Sequence, residues 1–377
     1  MNAAAVVFLA CLLLILYFLA GYPLLLAILS RRFARPIRRG PFRPSISVVI
    51  PVYNGERFIT DKLNSVFALD YPRELMQVIV VSDGSTDRTD EIASSFRGVL
   101  LLRQERSGKP AALNRALAET TGEILLLTDA RQVLEANSVA LLLENFADPA
   151  VGVASGELKI RAGASRDEAD IGLYWRFESW MRNSLSSLDS MFGATGPFYA
   201  IRRILFVPIP PDNLLDDMFL PLSAFFKGYR LVVDCRAIAW DYPTSVEAEF
   251  QRKVRTLAGN YQILGAYPQL LGRNRMWLHF VSYKFGRLLL PWLLLGIAIS
   301  SFWLPDPLRI VVIAAQALLY LVAALDSSIP QTSSLKRISS PARTFVVMMV
   351  AVVWALKVFF VPARSLWKVT YASNQRG

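Results

Sequence analysis

The chain begins with a long run of apolar residues. Residues 1–30 carry no charged side chain, and the stretch from Ala3 to Leu29 is apolar almost throughout. This run exceeds the ~20 residues that a helix needs to cross a bilayer. A signal peptide is the alternative, but the run is too long and lacks a cationic start. We therefore predict an N-terminal transmembrane helix over 1–30.

Three shorter apolar runs lie towards the other end of the sequence, at about 288–304, 310–325 and 344–361. Each is close to the lower limit of the ~17–25 residues that span a bilayer, so tilt or flanking aromatic residues must help. They predict a C-terminal transmembrane region of about three spans over 288–363, followed by a tail over 364–377. Basic residues flank the last run equally on both sides, so the number of crossings stays open.

Between these apolar ends, short hydrophobic runs alternate with stretches of helical spacing. From Ile59 to Phe67 the apolar residues recur at helical intervals, and 111–118 does the same. The alternation is typical of an α/β fold with a mostly parallel twisted sheet and helices on both faces. Ligands bind such sheets beyond the carboxyl ends of the strands. The predicted strands are 45–52, 77–81, 99–102 and 124–127.

Charge is distributed unevenly along the chain, which has a net charge of +11. Residues 44–250 contain 20 Lys and Arg against 28 Asp and Glu, whereas the remaining residues contain 21 and 2. The basic residues therefore border the apolar runs, which suits anionic lipid head groups and argues against a nucleic-acid partner. Six arginines and no acid occupy a juxtamembrane linker at 31–43. By the positive-inside rule, this places the domain over 44–250 in the cytoplasm.

Composition excludes several classes of protein. The chain is 54% hydrophobic and 19% charged, which rules out disorder and collagen-like repeats. Cys11 and Cys235 are too few for a disulfide framework or a thiolate metal site. A single histidine, His279, removes mechanisms that need a histidine pair or triad. The stretch 251–287 holds seven basic residues and no acid, which predicts basic amphipathic helices at the membrane surface.

Candidate functional carboxylates follow the predicted strands. Asp83 lies in a strand–glycine turn–helix segment, where it could also serve only to cap the turn. Asp129 ends a run of buried leucines, where a carboxylate is costly unless it is paired, hydrogen-bonded or metal-bound. Asp216 and Asp217 interrupt an apolar segment and could cap a helix or supply a general base. Lys109 opens a predicted helix that could help to hold phosphate.

Seven ordered motifs resemble those of family 2 glycosyltransferases, over roughly residues 44–275. The similarity is greatest to the membrane-embedded inverting enzymes related to cellulose, chitin-oligosaccharide, hyaluronan and poly-N-acetylglucosamine synthases. The motif segments are Pro51–Glu56, Ser82–Asp87, Gly108–Asn114, Thr128–Gln132, Gly193–Arg203, Leu215–Asp217 and Gln251–Arg255.

The resemblance implies a GT-A fold, a nucleotide-sugar donor, most often a UDP-sugar, and a glycan or lipid-linked acceptor. It implies that Asp217 is the catalytic base and that Asp129 contacts a divalent ion, Mg²⁺ or Mn²⁺, on the diphosphate. The other implied roles are nucleotide binding by Tyr53, Glu56, Asp83 and Lys109, an acceptor and sugar pocket at Gly196, Pro197 and Asp216, and diphosphate contacts by Arg252 and Arg255.

Two positions depart from the family pattern. Arg131 replaces the second aspartate of the Asp-x-Asp motif, where its cation could partly replace metal charge or could point away. Thr256 stands where the family's Gln-x-x-Arg-Trp motif has tryptophan, in register with Arg255. The loss of this aromatic platform favours transfer of one or a few sugars over processive polymerisation.

Three functional hypotheses remain. The first is an integral membrane glycosyltransferase, in a bacterium of the inner or plasma membrane, that builds an exopolysaccharide or cell-surface glycan, with or without an export partner. The second is a polyprenyl-phosphate sugar transferase that makes a lipid-linked sugar, for which the basic stretch would suit an anionic acceptor. The third is a non-catalytic membrane scaffold or glycan receptor, which would have no reason to keep Asp83, Asp129 and Asp217 all as acids.

Overall fold

The computed structural model describes residues 3–160, 167–242, 246–272, 274–330 and 333–366, so most of the expected tail over 364–377 lies outside the described residues. The chain separates into two compact units. The first comprises Met1–Ile28, Ala164–Glu178 and Ser245–Gly377, and the second comprises Leu29–Gly163 and Ser179–Thr244.

The second unit is built on an eight-stranded sheet in the order β3-β2-β1-β4-β7-β6-β8-β5. Strands β1 to β4 pair in parallel, which confirms the four strands expected from the sequence. The other half is mixed, because β7 runs antiparallel to both β4 and β6, while β6 and β8 are parallel. The strands are β1 (Ile46–Val52), β2 (Met76–Asp83), β3 (Val99–Gln104), β4 (Ile124–Thr128), β5 (Val133–Leu134), β6 (Val151–Ile160), β7 (Phe198–Arg202) and β8 (Arg230–Asp241).

Helices of both units follow in chain order. They are α1 (Ala3–Leu16), α2 (Tyr22–Arg32), α3 (Glu56–Phe67), α4 (Thr89–Ser95), α5 (Lys109–Leu117), α6 (Ser138–Leu143), α7 (Asp167–Leu188), α8 (Asp216–Phe226), α9 (Val246–Ala266), α10 (Trp277–Phe280), α11 (Gly286–Ser301), α12 (Leu308–Leu325) and α13 (Lys336–Trp354).

Strand β1 is covered on both faces, which explains its continuous apolar sequence. Ile46, Val48 and Ile50 alternate along one face and belong to the same buried cluster as residues of α3 and α6. Ser47 and Val49, between them, are equally buried, and α5 packs on β1 and β2. The carboxyl ends of β1, β2 and β4 meet at one edge, because parallel strands in register end together.

The first unit contains the apolar helices. Within the described part of the chain, four helical segments are long and apolar enough to cross a membrane, as the sequence predicts, and they indicate membrane association. The first and second of them in the chain share a small core, in which Ile15 packs with Leu290 and Ile297. The segments are Ala3–Arg32, Trp277–Ser301, Leu308–Ser328 and Lys336–Phe359.

One of these segments begins eleven residues before the position expected from the sequence. The sequence predicts an apolar run from about 288, and the helical segment that contains it begins at Trp277. The cations Lys284 and Arg287 are both accommodated locally. Arg287 lies 2.8 Å from a carboxylate oxygen of Glu178, and Lys284 lies over the ring of Tyr283. Arg287 and Lys284 in turn hold the pKa of Glu178 down, against the effect of burial, at about 2.

Candidate active site

The carboxylate of Asp83 holds the loop that leads into α5. Asp83 ends β2 and is 2% exposed. Its Oδ1 accepts the backbone N–H of Ser107 at 2.8 Å, and its Oδ2 accepts that of Gly108 at 2.8 Å. Side chains of the same loop donate to it as well. The aspartate thereby positions Lys109, the first residue of α5, and its nucleotide contact stays a prediction.

Arg106 joins Asp83 to Tyr53. Its guanidinium donates to Asp83 and lies over the Tyr53 ring, with its carbon 3.6 Å from the ring centroid. Stacking of this kind is favourable because the ring face is electron-rich. The pair forms a flat surface beside the carboxyl end of β1. Arg106 is not among the residues predicted from the sequence, where its only signal is its position in the loop before Lys109.

Glu56 connects the loops that follow β1 and β2. It is the first residue of α3, and its Oε2 accepts the backbone N–H of Arg88 at 3.0 Å. In return, Asp87 Oδ2 accepts the N–H of Glu56 at 3.0 Å. Asn54, just before, adopts a φ of 48°, which asparagine tolerates better than most residues. These bonds fix the loop that carries Tyr53.

Lys109 connects two of the candidate carboxylates. Its Nζ lies 2.9 Å from Asp129 Oδ1 and 3.2 Å from Asp216 Oδ2. Burial lowers the pKa of Lys109, but the negative charges of Asp129, Asp216 and Asp217 outweigh this effect and raise it. The lysine is therefore a permanent cation inside an acidic cluster at the carboxyl edge of the sheet.

Tyr199 places a buried phenol in the same cluster. The residue is 0% exposed, and among the described residues its hydroxyl finds no hydrogen-bond partner. Burial and the charges of Asp216, Asp217 and Asp129 raise its pKa. It therefore remains protonated at neutral pH. The sequence predicts a sugar pocket at the neighbouring Gly196 and Pro197 but no role for Tyr199.

Asp217 lies directly against Gly196. A Cβ built on Gly196 would lie 2.6 Å from Asp217 Oδ2, so this close approach requires glycine. The backbone N–H of Ala194 also donates to the carbonyl of Asp217 at 2.7 Å. Asp216 and Asp217 form the first turn of α8, where the helix dipole favours negative charge. The two aspartates can therefore stabilise the start of α8 while one of them also serves as a general base.

Arg131 points away into an ion pair. Its Nε lies 2.6 Å from Asp241 Oδ1, and its Nη2 donates to the carbonyl of Tyr242 at 2.8 Å. Both charged side chains are largely buried. The guanidinium therefore points away from the acidic cluster, which is the second of the two alternatives given for Arg131. It connects the Asp129 loop to the end of β8.

The basic pair Arg252 and Arg255 lies on α9, a helix of the first unit. Their diphosphate contact stays a prediction. The hydroxyl of Thr256, which stands in place of the family's tryptophan, donates to the carbonyl of Arg252 at 2.9 Å.

The acidic cluster suits a divalent cation that a ligand helps to hold. Among the described residues, no group of three or more His, Cys, Asp or Glu side chains forms a complete protein cage. Mg²⁺ is commonly bound by one or two carboxylates together with substrate phosphates. Asp129 fits this pattern, since it is a carboxylate at the edge of the sheet whose side chain is 35% exposed.

The parallel half-sheet, with an acidic cluster at the carboxyl edge, places the second unit in the class of GT-A glycosyltransferases. Residues 47–207 match the sequence model of Glycosyl transferase family 2, so the chain carries a family 2 glycosyltransferase domain. This confirms the resemblance found in the motifs.

Similar proteins agree with this assignment. The poly-beta-1,6-N-acetyl-D-glucosamine synthase of Staphylococcus aureus is 24% identical over 229 residues, covering 58% of this chain and 55% of the relative. The probable glycosyltransferase YdaM of Bacillus subtilis is 25% identical, covering 64% and 61%. The chain thus spans a little over half the length of these relatives. The mannosyltransferase PcManGT of Pyrobaculum calidifontis, solved with GDP-Man and Mn²⁺, shares the fold, with a TM-score of 0.73, 22% identity and coverage of 94% and 99%.

Proposed function

We propose that this protein is an inverting membrane glycosyltransferase that moves a sugar from a nucleotide donor, a UDP-sugar, to a glycan acceptor in surface polysaccharide synthesis. One observation carries the proposal: Lys109 lies between Asp129 and Asp216, and Asp217 lies within electrostatic range of it. A group that neutralises phosphate charge and a candidate base therefore belong to one cluster.

The donor is bound by the edge that follows β1 and β2. Tyr53, with the stacked Arg106, offers a flat surface for a nucleobase, and Glu56 and Asp83 keep the two loops in place. Lys109 neutralises part of the diphosphate charge. Asp129 is the residue that would hold Mg²⁺ or Mn²⁺ together with the diphosphate, and such a cation supplies further positive charge to the leaving group.

The chemical step assigned to the cluster is a single displacement. An acceptor hydroxyl attacks the anomeric carbon as the bond from this carbon to the diphosphate oxygen breaks, which inverts the configuration. The hydroxyl proton passes to Asp217, the general base. Because Gly196 has no side chain, the Asp217 carboxylate can lie directly against it, and Pro197 and Asp216 complete the pocket for the sugar. Arg252 and Arg255 are proposed to stabilise the leaving diphosphate.

The proposed location follows from the apolar helices and the basic linker. Four segments could cross a membrane, and the arginines over 31–43 predict a cytoplasmic catalytic domain. A polysaccharide formed there has to cross the membrane, either through these helices or with an export partner.

The function is tested by donor selection on the purified full chain. The donor panel includes UDP-N-acetylglucosamine and GDP-mannose, because relatives carry names associated with both sugars. We expect nucleotide release from one UDP-sugar of this panel. The product should have the opposite anomeric configuration to the donor, as read by NMR, and a chelator should abolish turnover. Retention of configuration, or no release from any donor, would contradict the proposal.

A second candidate is transfer to a polyprenyl phosphate. It is favoured by the combination of four apolar segments with the basic residues of α9. Labelled donor separates the two products, because a lipid-linked sugar partitions into chloroform, whereas a glycan stays in water or forms a polymer. Label in chloroform would establish the second candidate and exclude the first.

A further inference from the structure

A lysine lies fully buried beneath the candidate active site. Lys62 is on α3 and is 0% exposed. Its ammonium donates to Thr128 Oγ1 at 2.6 Å and to the backbone carbonyl of Gln132 at 2.7 Å. Both acceptors are uncharged oxygens. Burying a charge is costly even when it is hydrogen-bonded, so this lysine calls for an explanation beyond packing.

The two bonds hold the Asp129 loop at both ends, since Thr128 precedes Asp129 and Gln132 follows it. Lys62 donates to the Thr128 hydroxyl, which therefore acts as the acceptor in this bond. This leaves its hydrogen for the carbonyl of Pro197, 2.7 Å away. The backbone N–H of Asp129 points at the same carbonyl, at 3.4 Å. A directed chain of bonds thus runs from Lys62 through Thr128 to Pro197.

This chain joins the two sides of the site. Asp129 lies on the side assigned to the diphosphate, paired with Lys109. Pro197 follows Gly196, which lies against Asp217 on the side assigned to the sugar. The charge of Lys62 also acts on the site: burial lowers the pKa of Lys62 to about 7, while Asp129 opposes this shift.

We propose that Lys62 is a positioning residue for sugar transfer, which fixes the Asp129 loop and the Gly196–Pro197 loop relative to each other through the Thr128 hydroxyl. The inference rests on the proposed function, and it adds a residue that touches neither donor nor acceptor. It acts on the reaction only through Asp129 and Pro197.

Hydrogen exchange tests the connection directly in the full chain. Lys62→Met removes the donors, and Thr128→Val removes the hydroxyl at nearly constant shape. Either change should speed amide exchange in both segments 125–135 and 193–200. Asn64→Ala is the matched control, since Asn64 is exposed on the same helix and the change leaves the bonds of Lys62 to Thr128 and Gln132 intact. It should leave exchange in both segments near that of the unchanged protein.

Kinetics test the consequence for transfer. A small misplacement of reacting groups strongly slows the chemical step. Lys62→Met should therefore lower kcat about tenfold or more and change the donor KM much less. Thr128→Val should do the same, and the double variant should be no worse than Lys62→Met alone, because both act through one chain of bonds. If Lys62→Met fails to fold, Thr128→Val still decides the question.

Three results would overturn the proposal: unchanged exchange in the two segments, a kcat unchanged in Thr128→Val, or additive effects in the double variant. Failure of the proposed function is a different result, in which the unchanged protein transfers no sugar from any donor. The exchange experiment would then still decide whether Lys62 connects the two loops.

Discussion

Gly196 and Asp217 approach each other so closely that no side chain fits between them. A Cβ on Gly196 would lie 2.6 Å from Asp217 Oδ2, and the nearest atoms all belong to that aspartate. The glycine thereby permits the carboxylate of the proposed base to lie here, in a position that a side chain would take from it. The relationship joins two motifs that are separate in the sequence and belong to different elements of the fold.

The first prediction follows from this approach. Gly196→Ala should displace the Asp217 carboxylate and lower kcat by about a hundredfold, since productive geometry is lost by a shift of about 1 Å. Nucleotide affinity should change little. Gly265→Ala is the control, because a Cβ there meets no neighbouring atom, and its kcat should match that of the unchanged protein. Equal kcat in both variants would mean that Asp217 need not occupy this position.

The second prediction concerns the loop before α5. In Asp83→Asn, an amide nitrogen would face N–H donors that now point at a carboxylate. The loop should loosen, Lys109 should lose its position, and the dissociation constant for the nucleotide should rise about tenfold or more, as measured by calorimetry. Glu119→Gln, an exposed change near the end of α5, should leave affinity unchanged. Unchanged affinity in Asp83→Asn would show that the loop does not depend on this carboxylate.

The third prediction concerns the buried pair of Arg131 and Asp241. Arg131→Met leaves an uncompensated buried carboxylate and should lower the free energy of unfolding by about 3 kcal/mol. Adding Asp241→Asn should recover much of that loss, because no unpaired charge then remains. Thermal unfolding of the two variants provides the comparison. Equal stability of Arg131→Met and the unchanged protein would mean that the pair contributes nothing.

The fourth prediction concerns pH. Burial lowers the pKa of Lys62 from its ordinary 10.5 to about 7. Between these values the unfolded chain binds the proton and the folded chain does not, so stability should increase as the pH rises from about 7 towards 10. Below about 7 the cost of the buried charge is fully present. Lys62→Met should remove this increment, and the unfolding temperature against pH shows it. Parallel profiles for the two proteins would contradict the assignment.

Much of the fold could be predicted because short stretches of sequence determine its strands and helices. Val48 to Val52 and Ile124 to Leu127 are continuous apolar runs, as doubly covered parallel strands require. The carboxylates at Asp83 and Asp129 could be placed at one edge of the sheet for the same reason, since parallel strands share an end.

The rest of the fold and of the site depends on contacts between residues that are far apart in the sequence. The antiparallel insertion of β7 between β4 and β6 follows from long-range pairing. Arg131 and Asp241 are 110 residues apart, and Lys62 is 66 residues from Thr128. A lysine at helical spacing predicts a solvated face, and only the fold shows that this one lies under the active site. The ion pair of Arg287 could not be predicted either, because its partner Glu178 is distant in the sequence.

The central claim is that Asp217 removes the acceptor proton inside the cluster organised by Lys109. The most direct measurement is the transfer rate of Asp217→Asn beside its nucleotide affinity, with Asp212→Asn, an exposed acid in the same segment, as control. We predict that Asp217→Asn folds and binds nucleotide like the unchanged protein, while its kcat falls by about a thousandfold or more. A kcat near that of the Asp212→Asn control would contradict the account.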